Sequence, residues 1–232
     1  SELNGIACCA GSSGPGHVHL INGLYDAHRS NCPVLAIAST CPSDQFGTGY
    51  FQETDPIRLF DDCSGYNQMA VTPAQFARML PAALQHAIHR REVAVVGLPG
   101  DVAASPCAES PGASGPLPSH GIYRPLDGEL RQLAEMIGSA ERITVFCGIG
   151  AREAHDEVVR LAAMLKAPVA YTFKAKMEVQ YDNPYEIGMT GLLGLPSAYG
   201  AMHESDLLLL LGTDFPYDCF LPSECRIAQV DI

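Results

Sequence analysis

The residues best suited to chemistry are Gly148-Ile149-Gly150-Ala151-Arg152, which directly follow the apolar run 142–147. A β-branched run of that length reads as an interior parallel strand. Glycines at its end let the backbone approach a phosphate closely. A helix expected over 152–165 would present unpaired N–H groups and positive potential to the same anion. The pattern serves equally well as a plain strand-to-helix turn. The strict dinucleotide fingerprint fails, because Glu153 stands where the third glycine should be and no acidic residue follows at the expected distance. A second turn, Ser12-Ser13-Gly14-Pro15-Gly16, brings backbone close to something flat or polar, or simply joins a strand to a helix. His17 and His19 are two apart, a spacing that points them to different faces of a helix and argues against a shared metal.

These turns need strands and helices to hold them. Buried strands are expected at 6–11, 33–39, 66–71 and 93–98, with a helix over 17–29 between the first two. Thr54 or Asp55 can cap a short helix opening at Pro56. Thr72-Pro73 opens a long helix to Arg91, with a kink expected at Pro81. Residues 103–126 are rich in Pro, Ser, Gly and Ala with no hydrophobic period, and read as a surface linker. A second alternating set follows. Asp127 caps a helix to about Ser139, and strands are expected at 142–147, 168–173, 206–211 and 226–232. A turn at 182–185, a glycine-flanked loop at 188–194 and a helix near 197–204 complete it. Alternation on both sides of the linker predicts an α/β fold of two parallel-sheet, Rossmann-like units, with domains at 1–102 and 127–232.

The 232 residues are 47% apolar and only 17% charged, yet carry a net charge of -12. That balance argues against nucleic acid and against an anionic membrane surface. The longest apolar run, 207–211, is far too short to span a bilayer, and no secretory signal is read ahead of the first strand. Nine cysteines without framework spacing or a C-x-x-C pair indicate a reducing, cytoplasmic setting. Cys8, Cys9 and Cys147 read as inert core thiols.

Several segments together resemble one family. Ala10-Gly11-Ser12-Ser13-Gly14-Pro15-Gly16, His19-Leu20-Ile21-Asn22-Gly23-Leu24-Tyr25-Asp26-Ala27 and Pro33-Val34-Leu35-Ala36-Ile37 resemble the second half of the pyrimidine-binding domain of thiamine-diphosphate enzymes. Tyr50-Phe51-Gln52-Glu53 resembles the active-site loop of that domain in pyruvate oxidases. The segments 148–152, 185–191 and 211–217 resemble the central FAD-binding domain. The branch most resembled is that of pyruvate oxidases and quinone-reducing pyruvate dehydrogenases.

The resemblance implies a fragment of an enzyme that oxidatively decarboxylates pyruvate to acetate and CO2 with thiamine diphosphate, Mg2+ and FAD. It implies a quinone acceptor, a homotetramer when complete, and a cytoplasmic or peripheral inner-membrane location. Pro15, Gly16 and Asn22 would meet the pyrimidine, and Phe51 and Gln52 would line the substrate pocket, one as an apolar wall and the other as a hydrogen-bond donor. Glu53 has an ordinary alternative as a helix-start charge. FAD needs a pyrophosphate site, a polar grip on ribose or adenine, and a wall for its rings. Gly148, Ile149, Gly150, Ala151 and Arg152 suit the first, with Arg152 adding charge. Thr190, Gly191, Leu192 and Leu193 give small backbone contacts. Thr213, Asp214, Phe215, Pro216 and Tyr217 follow a strand at its carboxyl end, where α/β ligands bind. Asp231, late in the last strand, can accept from ribose or adenine, or be a solvated charge.

The family's catalytic glutamate would precede residue 1, and its G-D-G…N motif for Mg2+ and diphosphate belongs to a third domain that this sequence does not match. Two alternatives therefore stand beside the oxidase: an acetolactate synthase-like carboligase, and an FAD- or nucleotide-binding module without catalysis. Pro81 and Glu92 depart from the family pattern and predict a locally altered helix.

Overall fold

The computed structural model describes residues 5–107 and 123–231. Internal contacts divide the chain into two units, 1–122 and 123–232. Most of the expected linker, residues 108–122, lies outside the described residues.

The first unit is built on four parallel strands, β1 (Ala7–Gly11), β2 (Val34–Thr40), β3 (Tyr66–Met69) and β4 (Val93–Pro99), in the order β1-β2-β4-β3. β2 and β4 are nearly continuous apolar runs because both of their faces are covered. On one face α2 (Ile21–Arg29) lays Leu24 with Val34, Ala36, Val93, Val95 and Phe60. On the other, α4 (Pro73–Arg90) packs Met79, Ala83 and Ala87 with Leu35, Ala94 and Val96. The Thr72 hydroxyl accepts from the Gln75 N–H at 3.1 Å, and Pro73 occupies the first helical position, so the start of α4 follows its sequence signal. At its end Arg91 turns left-handed at φ 55°, where glycine is the easier residue, and the Glu92 carboxylate meets His86 at 2.9 Å.

The second unit has five parallel strands, β5 (Ile143–Cys147), β6 (Val169–Tyr171), β7 (Glu186–Met189), β8 (Leu207–Leu211) and β9 (Arg226–Val230), ordered β7-β6-β5-β8-β9. Alternate residues of β5 and β8 serve opposite cores. Val145, Cys147 and Leu209 join Val158 and Ala162 of α7 (His155–Leu165), while Phe146, Leu208 and Leu210 join Ala198 and Met202 of α9 (Pro196–Glu204). The Asp206 carboxylate accepts from the N–H groups of Glu141 and Arg142 at 2.9 Å each, fixing the start of β5 beside that of β8. The two-unit parallel α/β reading is thus what the chain forms.

Several local expectations change. β1 is not a buried strand. It is the sheet's edge, Cys8 is exposed, and only Cys147 is a fully enclosed thiol of the three, pushed up to about 12 by burial. The helix over 17–29 is α1 (Pro15–Val18) followed by α2, because Leu20 bonds back three residues to the His17 carbonyl and tightens the chain between them. The helix expected from Arg152 starts only at His155, after a 3-10 turn over Ile149–Ala154. Asp127 does not cap α6 (Asp127–Gly138). Leu126 holds the cap position, and its N–H donates to the Glu129 carboxylate at 2.8 Å. The stretch 182–194 contains β7, an edge strand with no β-branched run to announce it.

Candidate functional site

In the first unit the loops at the carboxyl ends of β1 and β2 come together. Gly14 holds φ 67°, and a Cβ placed on it would lie 2.8 Å from the Gln52 Cβ and 3.0 Å from the Gln52 carbonyl oxygen. The Ser13 hydroxyl donates to that same oxygen at 2.8 Å. Pro15 and Gly16 open α1 directly behind this contact. Gln52 itself is left-handed at φ 57°, a conformation that a residue with a Cβ adopts only under constraint. Phe51 projects outward with 78% of its surface exposed. So Pro15, Gly16, Phe51 and Gln52 share one edge. Asn22 lies exposed on α2 beyond the turn, and no described contact joins it to them.

Two residues organise this edge through contacts that the sequence reading did not give. Glu53 is not a helix-start charge. Asp55 takes the cap of α3 (Pro56–Leu59), accepting from the N–H groups of Ile57 and Arg58. The Glu53 carboxylate instead accepts from Gly47, Gly49 and Tyr50 N–H at 2.5, 2.9 and 3.1 Å, and the Gly47 contact first among them holds its acid below the usual range. The glycines at 47 and 49 followed by an acid were the available signal. His17 is fully buried, with Nδ1 at 2.7 Å from the Ser39 carbonyl and Nε2 at 2.8 Å from the Thr54 hydroxyl. Burial pushes its imidazole below the ordinary histidine value.

In the second unit, β5 comes first in sequence yet sits third in the sheet, so the chain runs to β6 and β7 on one side and to β8 and β9 on the other. The topological switch point of this sheet therefore lies between β5 and β8, and the carboxyl edge at such a point is where open α/β sheets take ligands. Residues 148–152 follow β5, 190–193 follow β7, 213–217 follow β8, and Asp231 follows rather than sits within β9. All four segments lie at one carboxyl edge. Exposed apolar side chains run along it at Phe173, Leu192, Leu193 and Leu195.

The glycines here do something other than expected. A Cβ on Gly148 would sit 2.2 Å from the Gly212 carbonyl oxygen, and one on Gly150 would sit 2.8 Å from the Gly212 Cα. Gly148 N–H donates to Leu211 and Gly150 N–H to Gly212, while Ala151 N–H turns back to Gly148. These glycines let two loops of the protein touch, and three of the N–H groups proposed for a phosphate are already used. Arg152 is half-buried in the 3-10 turn that follows β5. Phe215 also has a packing role. It is half-buried, packing edge-on to Phe146 with centroids 5.0 Å apart and backing Gly191, while Tyr217 stays exposed at the edge. Thr190 and Thr213 are buried, and the Thr213 carbonyl accepts from the Gln229 side chain at 3.0 Å. Among the described residues no group of three or more His, Cys, Asp or Glu side chains could hold a metal, and no helix is long and apolar enough to cross a membrane.

Comparison with known proteins bears on both units. A family model described as the N-terminal TPP binding domain of thiamine pyrophosphate enzymes matches residues 2–59. A second, described as their central domain, matches residues 130–232. The chain belongs to the thiamine pyrophosphate enzyme family. Among similar proteins of this kind, an uncharacterized 42.6 kDa protein in the isoamylase 3' region of Pseudomonas amyloderamosa is 47% identical over 228 residues, covering 98% of this chain and 58% of its own length. A pyruvate oxidase of Lactiplantibacillus plantarum is 31% identical over 223 residues, 94% of this chain and 36% of its own. An acetolactate synthase of Mycobacterium bovis is 30% identical over 237 residues, 98% of this chain and 38% of its own. The chain thus spans between about two-fifths and three-fifths of the length of these relatives.

Proposed function

We propose that the chain is the part of a thiamine-diphosphate flavoenzyme that carries the end of the pyrimidine-binding domain, residues 1–102, and the FAD-binding domain, residues 127–232. The complete protein would convert pyruvate to acetate and CO2, pass the electrons to a quinone, and assemble as a cytoplasmic or membrane-peripheral homotetramer. The observation that carries the FAD reading is the convergence of 148–152, 190–193 and 213–217 on one carboxyl edge across the switch point of the second sheet. Thiamine diphosphate, when bound, would supply the electron sink that lets the C1–C2 bond of pyruvate break with release of CO2, FAD would accept the two electrons, and water would supply the second oxygen of acetate.

The residues of this chain then have defined tasks. Arg152 meets the pyrophosphate charge. The exposed apolar edge gives the flavin rings a surface, with Tyr217 beside it. Gln52, whose carbonyl is engaged by Ser13, has its side-chain amide left to hydrogen-bond a substrate carboxylate or carbonyl. Phe51 would supply an apolar wall beside the reacting carbon that limits its protonation once CO2 has left and before the electrons are passed on. Among the described residues no cluster of three or more His, Cys, Asp or Glu is offered to Mg2+.

The test is the visible absorption spectrum of the purified chain, recorded after adding FAD and removing the excess. A retained, structured flavin band is expected. A folded chain that retains none would overturn an FAD site formed by these segments alone. The acetolactate synthase reading is favoured by a relative of nearly equal identity and greater coverage of this chain. Product analysis of the complete protein with pyruvate separates them, since acetate supports the oxidase and acetolactate the carboligase.

A further inference from the structure

A buried ionisable side chain with no part in that reading lies beside the Phe51–Gln52 loop. His17 is wholly enclosed and bonded through both ring nitrogens. The Ser39 carbonyl can only accept, so Nδ1 carries the proton. The Thr54 hydroxyl could give or take a hydrogen bond, but full burial disfavours the charged ring, so the ring is neutral and Nε2 accepts from Thr54. Its edge packs against Phe60 with centroids 5.9 Å apart. One side chain therefore ties α1, the carboxyl end of β2 and the residue two beyond Gln52. A second tie runs from the Thr40 hydroxyl to the Thr54 carbonyl at 3.2 Å.

Gln52 is where this matters. A left-handed residue with a Cβ persists only where its surroundings over-determine it. Here the surroundings are the Ser13 hydroxyl on its carbonyl, the Gly14 backbone against its Cβ, and Thr54 anchored to His17. The Glu53 carboxylate gathers the N–H groups on the other side of the turn.

We infer that His17 is a positioning residue: its neutral, Nδ1-protonated ring clamps Thr54 and so holds the Phe51–Gln52 turn preformed against the Gly14 loop. Its relevance to substrate rests on the proposed roles of Phe51 and Gln52. The clamp itself is a property of the fold and is tested without them. A histidine that merely filled space would be indifferent to the Thr54 hydroxyl.

The experiment measures amide hydrogen exchange on the full chain, following Gly47, Gly49, Tyr50 and Glu53 with the amides of β4 as the reference. Thr54→Val removes the hydroxyl at constant shape. It leaves a buried ring nitrogen unpaired, and loop exchange is expected to rise about tenfold or more with β4 unchanged. Thr54→Ser keeps the hydroxyl and is expected to restore protection. The 15N spectrum of the unsubstituted chain is expected to show His17 protonated at Nδ1 and bare at Nε2 at neutral pH. The inference is overturned if Thr54→Val leaves loop exchange within about twofold, if it speeds β4 equally, or if Nε2 carries the proton. Should Thr54→Val not fold, the ring spectrum still decides. Flavin retention and pyruvate turnover are not read, so this result and that of the flavin experiment stand or fall separately.

Discussion

Replacing Gly148 by alanine tests whether this glycine exists for contact between protein loops. Its Cβ would come 2.2 Å from the Gly212 carbonyl oxygen and 2.4 Å from the Thr213 Cβ, both well inside van der Waals contact. The obstructing atoms are largely backbone, anchored by hydrogen bonds from Gly148 N–H to Leu211 at 2.9 Å and from Gly150 N–H to Gly212 at 3.0 Å. Relief therefore means parting the loops after β5 and β8. Overpacking of this kind costs roughly 1–3 kcal/mol. The two weakened hydrogen bonds add about 0.5–1.5 kcal/mol each, for a total of about 2–6 kcal/mol. A domain of this size loses about 4–8 °C per kcal/mol, so a fall in Tm of roughly 10 °C or more is expected by circular dichroism. The control is Gly200→Ala inside α9, where an added Cβ meets nothing within 4 Å. Ordinary helix propensity predicts that it gains about 0.5–1 kcal/mol. Equal melting of the two variants would refute the argument that the loops need this contact.

Other consequences follow from the same geometry. Arg152→Gln should weaken FAD retention about tenfold or more through loss of a charge-assisted contact, read by flavin fluorescence after gel filtration. Acid should act in two stages. The His17 imidazole is depressed by burial, so stability should fall as pH drops from about 6.5 toward its folded value. The carboxylates of Glu53, held by the Gly47 N–H, and of Asp206, held by the Glu141 N–H, are also depressed, and their share should be lost only below about pH 4. His17→Asn should abolish the upper stage of a urea-midpoint-against-pH curve. In a native thiol titration Cys8, Cys107 and Cys219 should react quickly, while Cys147, at about 12, should react only on unfolding. Arg91→Gly should stabilise the chain by about 0.5–1 kcal/mol in chemical denaturation. It removes a left-handed side-chain penalty of about 1–2 kcal/mol, partly offset by glycine's greater freedom when unfolded.

The central strands and the long helices were legible because each depends on its own residues. β2, β4, β5 and β8 are apolar runs with both faces covered, and α4 carries a threonine cap followed by proline. The edge elements were not legible in the same way. β1 reads as apolar as an interior strand, and nothing in Ala-Cys-Cys-Ala-Gly says that one side of it goes unpaired. β7 is four residues, Glu-Ile-Gly-Met, whose strand character comes from pairing with β6 across a register shift near Val169. The site divides similarly. Which segments reach the carboxyl edge follows from strand order, but the ties of His17 to Thr54 and of Ser13 to Gln52 span 37 and 39 residues, and no local spacing encodes them.

A glycine pattern in a sequence reports that something approaches the backbone, not what approaches it. At Gly14 the approaching group is Gln52, and at Gly148 and Gly150 it is the Gly212–Thr213 backbone. In both units the glycines first serve to join two loops at a sheet's carboxyl edge, and a ligand would meet the surface those joined loops make. Under the proposed function, recognition would then fall to side chains, Arg152 and the exposed Tyr217 in one unit and the exposed Phe51 and Gln52 in the other. Relatives described as a pyruvate oxidase and as an acetolactate synthase match this chain at 31% and 30% identity, and a shared fold does not choose between two reactions, so the choice rests with the side chains at these two edges.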